Sequence, residues 1–161
     1  MIRLKTAVLL AASLKIGARL GGASVEDADR LYDFGMHIGV AFQLKDDLLD
    51  VYGNAKVFGK NIGGDILCNK KTYMLIKALE HANADQHNQL NSWINAETFQ
   101  PAEKIAAVTE LYDRIGVKAV CENKILEYSN RAMESLAVVS IAEEKKEELK
   151  KIIENLIHRE V

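Results

Sequence analysis

Asp46, Asp47 and Asp50 form an Asp-Asp-x-x-Asp cluster inside a stretch of helical periodicity. At about 100° per residue, Asp46 and Asp50 lie about 40° apart around the axis and Asp47 about 100° from Asp46, so three carboxylates crowd one sector. Side chains about 6 Å apart in an effective dielectric of about 20 repel by about 3 kcal/mol per pair, and negative charge near a helix C-terminus also opposes the macrodipole. A divalent cation removes that cost. Mg²⁺ suits such a cluster because it takes one or two carboxylates and leaves its other positions to water and phosphate. The plainer alternative is a solvated helix end, where a dielectric near 80 cuts the repulsion to under about 1 kcal/mol per pair. Gly35, Gly39 and Gln43 fall on the same side of the wheel, at about −20°, 20° and 60° from Asp46, which lines the carboxylate face with small residues and an amide.

A glycine-rich segment follows, Gly59-Lys60-Asn61-Ile62-Gly63-Gly64-Asp65. Its glycines allow backbone amides to approach an anion closely, and Lys60 supplies the charge that complements the aspartates. A diphosphate chelated by Mg²⁺ would suit the pair. It is not a P-loop, since G-x-x-x-x-G-K-[ST] is absent. Taken alone, the segment reads better as an ordinary surface loop with a solvated lysine than as an anion site.

The elements that must position these residues are helices. One proline in 161 residues, ten glycines and 48% hydrophobic residues point to an all-α, single domain spanning residues 1–161. The first helix is expected over about 4–20, ending at Gly21-Gly22. A restart follows at Ser24 and Asp27, a capping-box pattern, and continues to about Val51. Residues 71–81 read as a short helix. Asn83 to Gln100 is polar and weakly periodic. Pro101 opens a long helical stretch with Gly116 as its dividing point, and Ser140 with Glu143 reads as a second capping box before the final helix. An imitation of a secretory signal, Arg3 and Lys5 followed by Thr6 to Leu14, is broken early by Lys15, and an amphipathic helix explains the same residues.

Charge and composition exclude several classes. Lys plus Arg number 21 against 23 Asp plus Glu, a net charge of −2, so there is no basic excess for nucleic acid. The apolar run Ala7 to Ala12 is far short of the roughly 20 residues of a membrane span. Cys68 and Cys121 carry neither a C-x-x-C nor a disulfide pattern, which fits a reduced, cytoplasmic setting. His37, His81, His87 and His158 show no metal-ligand spacing, and Trp93 reads as a packing anchor.

The run Phe42-Gln43-Leu44-Lys45-Asp46-Asp47-Leu48-Leu49-Asp50, followed by Gly59-Lys60, Gly64-Asp65 and Lys70-Lys71-Thr72, with Lys5-Thr6 on the preceding helix, resembles the second aspartate-rich region of the trans-isoprenyl diphosphate synthases, the polyprenyl synthetase family. The resemblance implies an all-α helical bundle of the isoprenoid synthase type. It also implies a Mg²⁺-dependent prenyltransferase that condenses an allylic diphosphate with isopentenyl diphosphate in isoprenoid biosynthesis. Carried over by position, Asp46 would ligate Mg²⁺, with Asp47 and Asp50 binding through water or supporting it. Lys5 and Lys60 would grip the allylic diphosphate, and Thr6 and Gln43 would turn oxygen atoms toward the developing carbocation.

The family's first aspartate-rich motif and its isopentenyl-binding basic residues belong to an N-terminal half with no counterpart here. The resemblance is therefore to a C-terminal half: a partial bundle lacking the N-terminal helices, with one metal-binding wall, and inactive or weakly active alone. Such a chain is expected to leave apolar helix faces for a homo-oligomer or a complementary N-terminal half. Cys68-Asn69 stands where the family often has charged or glycine residues. Two other readings remain at this point, a non-catalytic subunit or interaction module of the same fold, and a class I terpene synthase-like protein.

Overall fold

The computed structural model describes residues 1–53 and 62–158. The described chain is helical, without strands: a π-helical turn Arg3–Ala7 leads into α1 (Val8–Leu20), then come α2 (Val25–Tyr52), α3 (Gly64–Leu67), α4 (Tyr73–His81), α5 (Ala84–Asn95), α6 (Pro101–Ile115), α7 (Val117–Ala137) and α8 (Glu143–His158). Among the described residues no helix is long and apolar enough to cross a membrane. The described residues divide into two compact units, one of residues 1–45 and 124–158, the other drawn from residues 46–123.

In the first unit, α1 lies against α2 through small residues at matched spacing. A Cβ added at Gly39 would sit 2.6 Å from the Cα of Ala7, and one at Gly35 would sit 2.6 Å from the Cα of Ala11. Ala7 and Ala11 are themselves wholly buried. Two Gly-Ala contacts one helical turn apart bring the backbones closer than larger side chains permit, which fixes where Thr6 stands against α2. Phe34, Ile38, Leu44, Ile125, Leu136 and Ile153 fill the core around them.

Helix α2 opens as its sequence indicates, with the Asp27 amide donating to Ser24 Oγ at 3.0 Å. The Asp27 carboxylate then accepts from Arg30 Nη1 and from the Ser140 amide, both at 3.0 Å. Ser140 is thus a partner of Asp27 in the turn, and α8 begins three residues later at Glu143, so the expected Ser140 capping box does not form. A buried carboxylate 113 residues away outcompetes the local cap.

In the second unit, α6 packs on α3, α4 and α5, with Met74, Leu75, Leu90, Val108 and Leu111 in the core. Thr72 caps α4 by accepting from the Leu75 amide, and Gly116 at φ +81° separates α6 from α7. The weakly periodic stretch after Asn83 contains a full helix, α5, which opens on a reciprocal capping box between Asn83 and Gln86. Its only buried residue is Leu90, so the apolar period is thin and the cap, rather than the periodicity, marks the helix.

Candidate metal and diphosphate site

The aspartate cluster occupies the end of α2 within the second unit. Asp47 is 3% exposed and its Oδ1 accepts from Lys70 Nζ at 3.1 Å. The same ammonium donates to Asp65 Oδ2 at 2.7 Å, so one lysine bridges two carboxylates. Burial lowers the Lys70 pKa, but its hydrogen bonds to Asp65 and Asp47 outweigh that and hold it above the ordinary lysine value.

Asp50 is fixed from another direction. Its backbone oxygen accepts from the Gly63 amide at 2.6 Å and its Oδ2 from the Asp65 amide at 2.9 Å. Gly63 makes this approach at φ +87° beneath Ile105, whose side chain would meet an added Cβ at 2.7 Å, so glycine is required twice over. Burial raises the Asp50 pKa above the ordinary carboxylate value, the Asp65 amide and Lys70 opposing it while the Asp65 charge adds to it. Asp46 is half-buried on the same turn.

Asp47 and Asp65 share the Lys70 ammonium, Asp50 is held to the Asp65 amide, and Asp46 lies on the same turn of α2, so this stretch carries hard carboxylate oxygen donors. No three carboxylates, imidazoles or thiolates among the described residues converge tightly enough to cage an ion by themselves. That donor chemistry fits Mg²⁺, which retains waters and accepts phosphate oxygens instead of a complete protein cage.

Lys5, Thr6 and Gln43 belong to the first unit. Lys5 is exposed in the π-helical turn. Thr6 Oγ1 donates to Gln43 Oε1 at 3.0 Å, which brings together two oxygens from residues 37 positions apart. With its proton directed at Gln43, the threonine oxygen keeps its lone pairs available to an electron-poor centre. Lys60 lies outside the described residues. The sequence assigned no role to Asp65 or Lys70, although both belong to the quoted motifs. The only local signal is that they share the glycine-rich connection after Asp50, and the bridge itself spans 23 residues.

Comparison with known proteins bears on the family and the fold. The polyprenyl synthetase family profile matches residues 1–112. A short chain isoprenyl diphosphate synthase of Methanothermobacter thermautotrophicus is 35% identical over 160 residues, covering 99% of this chain and 48% of that protein. A crystal structure of a geranylgeranyl pyrophosphate synthase superposes with a TM-score of 0.91 at 34% identity, covering 98% of this chain and 49% of that one. A geranylgeranyl pyrophosphate synthase from Corynebacterium glutamicum, crystallised with isoprenyl diphosphate and magnesium, gives a TM-score of 0.86 at 32% identity and covers 98% of this chain and 44% of that one.

The chain belongs to the polyprenyl synthetase family. Its fold is the all-α isoprenoid synthase type, and it spans about half the length of the curated relatives it matches.

Proposed function

We propose that the chain contributes the second aspartate-rich wall of a prenyltransferase that condenses an allylic diphosphate with isopentenyl diphosphate. The observation that carries the reading is the fixed acidic turn, in which Lys70 and the Asp65 amide hold Asp47 and Asp50 beside Asp46. In this reading Asp46 binds Mg²⁺, with Asp47 and Asp50 supporting it. When bound, Mg²⁺ supplies charge neutralisation to a departing diphosphate. Lys5 and Lys60 hold phosphate oxygens by charge-assisted hydrogen bonds, and Thr6 with Gln43 presents oxygen dipoles to positive charge on the allyl group. The magnesium complex of the Corynebacterium relative supports the choice of ion.

The acidic wall needs a complementary one. A second aspartate-rich segment, from a complementary N-terminal half or within an oligomer, completes the diphosphate clamp in this reading, and the 161-residue chain alone turns over slowly or not at all. We place the chain in a reducing, cytoplasmic setting, which fits exposed Cys68 and buried Cys121, two cysteines whose spacing carries neither a C-x-x-C nor a disulfide pattern.

Calorimetric titration of a non-hydrolysable diphosphate analogue, with and without Mg²⁺, tests the proposal. Mg²⁺-dependent binding that is lost in Asp46→Ala is the expected result. Equal binding with and without Mg²⁺, or none from a folded sample, would remove the metal wall from the account and leave an interaction module of the same fold.

A further inference from the structure

Lys104 on α6 is 1% exposed, an unusual position for a lysine. Its Nζ donates to Asn69 Oδ1 at 2.8 Å and lies 4.2 Å from the centre of the Phe99 ring, with no carboxylate among these partners. Burying an ammonium against one neutral amide is costly, and burial pushes its pKa below the ordinary lysine value. What the ammonium holds is itself constrained. Asn69 has φ +49°, a left-handed conformation that a non-glycine residue rarely adopts. Its Nδ2 donates to the Ile94 carbonyl at 2.9 Å, so the side chain is fixed between α5 and α6.

The next residue in the chain is Lys70. Its amide donates to the Asp65 carbonyl at 2.9 Å, the Thr72 amide donates to its carbonyl at 2.7 Å, and its ammonium bridges Asp47 and Asp65. A cavity of about 20 Å³, room for about one water, adjoins Lys104, Asn69, Lys70 and Asp65. We infer that Lys104, acting through Asn69, is the positioning residue that fixes the 69–72 turn and so holds Lys70 across Asp47 and Asp65. Among the described residues the hydrogen bond of Lys104 goes to Asn69 and not to these aspartates. Its consequence for metal binding rests on the function proposed above; its effect on the turn does not.

The test compares the unaltered chain with Lys104→Met, which keeps the volume and removes the charge, and with Asn69→Gly, which keeps the left-handed turn and removes the side-chain link. In both variants the Lys70 and Thr72 amides are expected to exchange at least tenfold faster. The Lys70 side-chain ammonium resonance, assigned by its loss in Lys70→Met, should pass from slow to fast proton exchange. A merely structural role for Lys104 would move the unfolding midpoint and leave that ammonium signal in place.

Unchanged amide exchange and an unchanged ammonium signal in the two variants would overturn the inference. Mn²⁺ titration separates this from the functional reading: binding at least threefold weaker in both variants is expected. Absence of Mn²⁺ binding in the unaltered chain would overturn the proposed function, while the exchange data alone would still decide for or against Lys104.

Discussion

Lys70 neutralises two carboxylates at once, and its removal leaves Asp47 as a buried charge without that counter-ion. Breaking a fully buried pair costs about 3–5 kcal/mol, but the Lys70 side chain is 36% exposed, so Lys70→Met is expected to cost about 2 kcal/mol, read from urea unfolding in the absence of metal. Because the folded-state pKa of Lys70 is raised, this contribution is complete below the ordinary lysine range. It is lost only as pH climbs through the raised value. Thr6→Val is the counterpart in the first unit. It keeps the shape and deletes the donor to Gln43, for an expected loss of about 1 kcal/mol in the same assay. Much of this chemistry was legible in the residues themselves: the aspartate triplet declares its own crowding. The identity of its counter-charge did not, since Lys70 carries no local pattern that separates it from Lys71.

Glycines show how much the elements depend on packing that periodicity does not encode. Gly39→Ala would drive a methyl group into the Ala7 backbone, with an expected loss of about 3 kcal/mol, whereas Gly17→Ala on α1 meets nothing within 4 Å and should gain about 1 kcal/mol from helix propensity. Paired thermal denaturation curves would display the opposite signs. Asp27 joins the start of α2 to the turn before α8, and the Ser140 amide, with Arg30, holds its pKa below the ordinary value even though burial works the other way. A lowered carboxylate pKa contributes stability above the unfolded value and loses it as pH falls through the folded one. Asp27→Asn should therefore flatten the acid limb of the stability-versus-pH curve, measured by denaturant midpoints at a series of pH values. Helix positions were readable wherever an apolar stripe or a glycine stop was strong, as in α1 and α2. At α5 a single buried leucine gave too weak a stripe, and at Ser140 a distant carboxylate took the group that the local pattern assigned to a cap.

For the chain as a whole, the apolar surface of α1 bears on what else the molecule meets. Leu9, Ile16 and Leu20 stand 72%, 59% and 85% exposed at spacings that return to one face of the helix. Isolated exposed leucines are ordinary, but three on one face form a surface that another helix can cover. Leu9→Lys combined with Leu20→Lys is expected to reduce self-association or capture of a complementary half, measured by sedimentation velocity, while leaving the helical circular dichroism spectrum unchanged.

The amino-acid sequence by itself determined the helical class, the limits of most helices and the acidic cluster on α2. Each of these follows from neighbours within one or two turns, where the backbone period dictates which side chains share a face. Tertiary structure alone decided that Lys70 answers Asp47, that Lys104 answers Asn69 and that Thr6 answers Gln43, pairs separated by 23, 35 and 37 residues. No periodicity relates residues so far apart. Their meeting is set by how closely the helices approach, and that approach depends on small side chains such as Gly35 and Gly39, and on a left-handed turn at Asn69, whose effect exists only once the chain has packed.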